Sequence, residues 1–107
     1  MKKRKVKGFY DKTAGTELRL YAENDYELYK RETAIVNNYK RKIKKGTFNM
    51  VKAEKGVFNL LVTPAARKYT KEFGGNSRTM FPSATRKGVA KGKARDIFRG
   101  ILRGEYD

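Results

Sequence analysis

Apolar residues recur along most of the chain at intervals of three and four, the period of a helix that buries one side. Between Tyr26 and Lys45, the residues Leu28, Tyr29, Ile35, Val36, Tyr39 and Ile43 share a sector of about 120°. Lys30, Asn37, Arg41 and Lys44 take the opposite side. Asn24 and Glu27 have the spacing of a capping box, which predicts a helix start at Asp25 or Tyr26. The helix runs to Lys45, where Lys44 and Lys45 suit the negative end of the dipole and Gly46 supplies a left-handed cap. Glu32 lies inside the apolar sector. A buried carboxylate without compensation is costly, so Glu32 belongs at the rim, or paired with a base or a tyrosine hydroxyl.

Before this helix, Thr13-Ala14-Gly15-Thr16 reads as a loop, with Thr16 capping a short helix that carries Leu18, Tyr21 and Ala22. The alternation of Leu18 and Leu20 also fits a strand; the helix is favoured. After it, Thr47 is placed as the cap of the most hydrophobic segment, from Phe48 to Val62. Its apolar residues cover more than half the circumference, which makes it the buried centre. Thr63-Pro64 predicts a kink or a restart, because proline has no N–H yet suits the first turn of a new helix. The continuation to Phe73 turns Tyr69 and Phe73 inward and Arg67, Lys68 and Lys71 outward, and it stops at Gly74-Gly75. Residues 74–81 read as a loop closed by Met80 and Phe81 as core anchors, and Pro82 starts the last helix.

That last helix, Ser83 to Arg103, gathers Ala90, Ala94, Ile97, Phe98 and Ile101 in one sector. Lys91, Arg95, Arg99 and Arg103 line the other side together with Gly88 and Gly92, whose missing side chains would let a partner approach the backbone. The expected fold is an all-α, single-domain bundle of four or five helices over residues 11–107. A basic flexible arm over residues 1–10 precedes it.

Charge turns this fold towards a function. Lys and Arg number 27 against 11 Asp and Glu, a net charge of +16 at pH 7. Residues 11–32 hold six of the acids (Asp11, Glu17, Glu23, Asp25, Glu27, Glu32) and four bases, so the remainder carries +18. Self-repulsion on this scale opposes compaction, and a polyanion partner is the economical explanation. The basic residues concentrate in three places. These are the arm (Lys2, Lys3, Arg4, Lys5), the end of the second helix (Lys40, Arg41, Lys44, Lys45) and the last helix.

Within the last helix, Ser83, Thr85 and Arg86, followed by Lys87, occupy the first turn, from which a recognition helix addresses base edges. The competing structural account has Ser83 as a cap, Thr85 solvated and Arg86 covering the apolar face. The 74–81 segment is also longer than the turn of about three to four residues in a regular helix-turn-helix. Phosphate binding is therefore the firmer expectation, with duplex DNA ahead of RNA. Two alternatives stay open: a module that binds an acidic surface of a host protein complex, and an RNA- or ribosome-associated structural protein. Most aromatic residues sit at core positions; Tyr10 and Tyr26 are the candidates for stacking on bases.

The chain has no cysteine and no histidine, which removes disulfides, thiolate zinc sites and histidine acid–base catalysis. The serines and threonines sit in caps and loops, the acids are explained by capping, and Gly74-Gly75 lacks the Gly-Lys-Ser/Thr of a phosphate loop. A non-enzyme without metal or cofactor is expected. No apolar run approaches the roughly 20 residues of a membrane span, and no apolar signal segment follows the N-terminus, so a cytoplasmic setting is expected.

The pieces Glu17-Leu18 to Asn24-Asp25, Leu28-Tyr29, Lys45-Gly46-Thr47-Phe48, Lys52-Ala53, Leu60-Leu61-Val62, Ala66-Arg67-Lys68-Tyr69 with Glu72-Phe73, and Met80-Phe81-Pro82 with Arg86 and Val89-Ala90 resemble a group of small, mostly uncharacterised proteins from phages and other mobile elements. The resemblance implies a bacterial host or a virion as the setting. It carries no activity and no site residue. The Gly-rich basic last helix and the basic arm depart from the group's pattern.

Overall fold

The computed structural model describes residues 12–106. The fold is all-α, with no strand among the described residues. Its elements are α1 (Lys12–Asn24), α2 (Tyr26–Lys45), α3 (Met50–Val57), a π turn (Phe58–Val62), α4 (Thr63–Phe73), the single turn α5 (Ser77–Met80) and α6 (Ser83–Leu102). The arm residues Lys2, Lys3, Arg4 and Lys5, and Tyr10 with them, lie outside the described residues.

α2 starts at Tyr26, as expected, but one helix start and two capping residues differ from the sequence pattern. Helix α1 begins at Lys12 and passes straight through 13–16, because Ala14 packs on the core and Gly15 is buried inside the helix. The cap of α2 is Asp25, whose carboxylate accepts the Leu28 N–H at 3.1 Å, since Asn24 still belongs to α1. Asn49 caps α3 by accepting the Lys52 N–H at 3.0 Å. Thr47 is engaged elsewhere: its N–H donates to the Lys42 carbonyl while Gly46, at φ 77°, donates to Ile43, which closes the end of α2.

From α3 to α4 the chain is one continuous rod with the π turn at its middle. The Thr63 N–H donates to the Phe58 carbonyl, five residues back, just before Pro64, which has no N–H to give. The Leu60 carbonyl, which residue 64 would otherwise bond, accepts from the Arg31 guanidinium at 3.3 Å. The wider turn also serves the core. Ala53, Val57, Leu61 and Ala65 are all buried, although a four-residue repeat drifts about 40° per step in an α-helix. The π turn takes back part of that drift.

Leu18, Leu28, Val57, Leu61, Val62, Phe81 and Ile97 form the centre of the core, with α6 laid against α1, α3 and the π turn. Phe48, just ahead of α3, stacks on Phe98 at 4.9 Å, and Phe58 lies under Arg86, so α3 and α6 run antiparallel. Tyr39 donates to the Ala53 carbonyl and Arg31 to that of Leu60, which makes α2 and α3 antiparallel too. Residues 74–81 are not wholly loop, because Asn76 caps α5 by accepting from Arg78 and Thr79. Of the two anchors expected there, Phe81 is buried and Met80 is exposed. Phe73 and Tyr29 also face outward; Phe73 ends α4 with its ring at the rim, 4.9 Å from that of Tyr69.

Lys93 on α6 is only 6% exposed. Its ammonium donates to Glu23 of α1 at 2.9 Å and pairs with Glu32 of α2 at 3.0 Å. Glu32, stranded in the apolar sector of α2, has thus found a base. Arg19 extends the network by pairing with Glu23 and with Asp96.

Burial pushes the Glu23 carboxyl up, but Lys93 and then Arg19 outweigh it and hold the group below its ordinary value of 4.5. The hydrogen bond from Lys68 chiefly holds Asp25 below its ordinary 3.8, against some burial. Carboxylates with depressed folded-state pKa values stabilise the fold fully above their unfolded values, and they lose that contribution as pH falls through the folded ones. Urea midpoints should therefore be flat above about pH 5 and fall steadily below pH 4. A flat profile down to pH 3 would contradict these pairings.

Candidate nucleic-acid interface

Helix α6 buries one face through Thr85, Val89, Ala90, Lys93, Ala94, Ile97 and Gly100. The residues left outside include Lys87, Lys91, Arg95, Arg99 and Arg103, all exposed and spaced four apart. At 1.5 Å per residue this row is about 24 Å long, the rise of roughly seven base pairs. Among the described residues, Lys87, Lys91 and Arg95 have no hydrogen bond or ion pair. Arg99 approaches Asp96 only at 4.0 Å, and Arg103 pairs with Glu105 at 3.0 Å. Like charges four residues apart repel by about 0.2–0.5 kcal/mol per pair, so the row is a cost to the isolated helix.

The first turn of α6 is less available than its sequence promises. Ser83 is exposed, but Thr85 is fully buried, because it continues the inward row of Val89, Lys93 and Ile97 at four-residue spacing. It is neither a base reader nor solvated. Arg86 turns inward, donating to the Phe81 carbonyl at 2.9 Å and the Thr63 hydroxyl at 3.1 Å with its guanidinium 5.2 Å from the Phe58 ring centre. Burial, and after it the charges of Arg67 and Arg78, push Arg86 below the ordinary arginine value. It ties α6 to the π turn and α4 instead of facing a base.

Gly88 is half-buried. Gly92 is half-buried as well and faces α1, where an added Cβ would stand 3.7 Å from the Arg19 guanidinium, so it is not an open spot for a partner. On α2, Arg41, Lys42, Lys44 and Lys45 are exposed. Lys40 is half-buried and donates to the Tyr106 carbonyl, which fastens the segment after α6 to α2 and takes Lys40 out of the free set.

No family model, curated protein or solved structure matches this chain. Among the described residues there is no cluster of side chains suited to hold a metal ion, and no helix is long and apolar enough to cross a membrane.

Two features escaped the sequence reading. Lys93 has no role in the sequence pattern above, although Val89 and Ile97, four residues to either side, mark its position as inward. Tyr29 joins Tyr26 on the outer side of α2, where the ammonium of Lys30 lies 5.1 Å from the Tyr26 ring centre.

Proposed function

We propose that this chain is a non-enzymatic nucleic-acid-binding protein that grips phosphates with the outer row of α6, helped by Arg41, Lys44 and Lys45 at the end of α2. The observation that carries the reading is the run of five exposed cations on one helix, three of them without any partner among the described residues. The repulsion within the row has no structural return, and a polyanion removes it. Duplex DNA is favoured over RNA because an α-helix fits the major groove of B-DNA, about 12 Å wide, while that of A-form RNA is too deep and narrow. With Thr85 and Arg86 turned inward, the contacts left are to phosphates, so the reading predicts weak sequence preference. The setting proposed is the cytoplasm of a bacterial host, or a virion.

Fluorescence anisotropy with a 20-base-pair duplex across a salt series tests this. The five cations of the α6 row alone predict a log–log slope near −4.5, at about −0.9 per contact, and Arg41, Lys44 and Lys45 would steepen it to about −7. Affinity weaker than roughly 100 μM at low salt, or a slope near zero, would sink the reading.

A further inference from the structure

A groove of about 670 Å³ runs between α2 and α3, away from the outward row of α6. Its apolar lining is Ala34, Ile35, Tyr39, Phe48, Ala53 and Leu60, and Leu60 is 54% exposed. Arg31, Lys42 and Lys52 stand around it, and no carboxylate contributes to the lining. Arg31 and Lys42 mark the two ends on α2, eleven residues and so about 16 Å apart, three turns of helix. Gly56 lies on the α3 side. Its backbone is not in the left-handed region, and a Cβ there would meet nothing within 4 Å. An interior glycine costs about 1 kcal/mol relative to alanine, and here neither backbone nor packing asks for one. What its missing side chain does is keep the groove open.

We propose that this groove docks an acidic amphipathic helix from a protein partner, with aliphatic side chains on the groove floor and carboxylates meeting Arg31, Lys42 and Lys52. The length fits anchors at positions i, i+4 and i+7 of such a helix. The chemistry disfavours nucleic acid at this place. The Phe48 ring has one face covered by Phe98 at 4.9 Å and is half-buried, and Tyr39, which meets it edge-on at 5.3 Å, is buried, so neither ring is an open platform for a base. The aliphatic groups that remain suit leucine-like anchors. The site is independent of the α6 row, and either can fail without the other.

The test uses the full chain and a fluorescein-labelled synthetic peptide of about 15 residues, with three leucines at i, i+4 and i+7 and glutamates on the flanks. Controls are the same peptide with alanine in place of each leucine, and a scrambled isomer of equal charge. The leucine peptide is expected to bind at least about tenfold more tightly than either control. Gly56→Trp, which fills the groove, and Lys52→Glu, which reverses its charge, should each weaken it by about tenfold or more. Gly56→Trp should leave the affinity for a 20-base-pair duplex within about twofold, since no phosphate contact is touched. Equal binding of the leucine and alanine peptides would reduce the site to general charge attraction and overturn the proposal. So would an undiminished Gly56→Trp, and loss of duplex binding in that variant would reassign the groove to nucleic acid. If thermal unfolding shows that Gly56→Trp does not fold, the exposed Lys52→Glu decides alone.

Discussion

Lys93→Ala should cost about 3–5 kcal/mol, the usual penalty for removing one partner of a buried ion pair. The substitution takes away the ammonium that holds Glu23 and Glu32 at 2.9 and 3.0 Å; Glu23 keeps Arg19 at 3.2 Å, while Glu32 is left without a base among the described residues. The Glu32 side chain is only 13% exposed and has little water to turn to. For a domain of this size that loss lowers the melting temperature by at least about 12 °C. Lys93→Met keeps most of the packing and should be nearly as damaging, which separates charge from volume. Adding Glu32→Gln to Lys93→Met should recover part of the loss, because the orphaned charge is gone. Urea unfolding of the four proteins in this cycle measures the coupling. A loss under about 1 kcal/mol for Lys93→Ala would mean that the network is solvated.

Neutralising Lys91, Arg95 and Arg99 together with glutamine should change binding and stability in different directions. Three lost phosphate contacts reduce the magnitude of the salt slope by about 2.7, and at 0.1 M salt they weaken duplex binding on the order of 10²- to 10³-fold. The fold itself should be unharmed or slightly firmer, since the repelling pairs are gone. A control variant with Lys55, Arg67 and Lys71 neutralised removes the same three charges from exposed positions of α3 and α4. Anisotropy titrations of both variants decide the matter: equal losses would mean that net charge, not the α6 row, controls binding.

The long helices were legible because several local signals agreed there. α2 shows its apolar stripe, its acidic start and its glycine stop within twenty residues, and α6 is announced by Pro82 and by a repeat of small apolar residues. Short-range competition was harder to read. Asn24 and Asp25 are both good caps, and the choice fell to Asp25 because both its carboxylate oxygens also accept from Lys68 of α4, 43 residues away. The same limit hid Lys93. Which of the bases on α6 turns inward depends on Glu23 and Glu32, 70 and 61 positions earlier on other helices. Arg86 belongs to this class as well, since Thr63 and Phe58, which hold it inward, come from α4 and the π turn. The groove between α2 and α3 has no sequence signature beyond an unexplained Gly56.

The π turn bears on how the length of this chain can change. Everywhere else in the long helices, adding or deleting one residue rotates all that follows by about 100° and sends a buried row into water. Between Phe58 and Val62 the rod already accommodates a surplus residue, and Arg31 caps the carbonyl that the irregularity sets free. Deleting Asn59, which is exposed, would narrow the π turn without turning α3 and α4 out of register with the core by a full step, and Pro64 would still leave the Leu60 carbonyl to Arg31. This is the spot in the Met50–Phe73 rod where a one-residue indel is least disruptive.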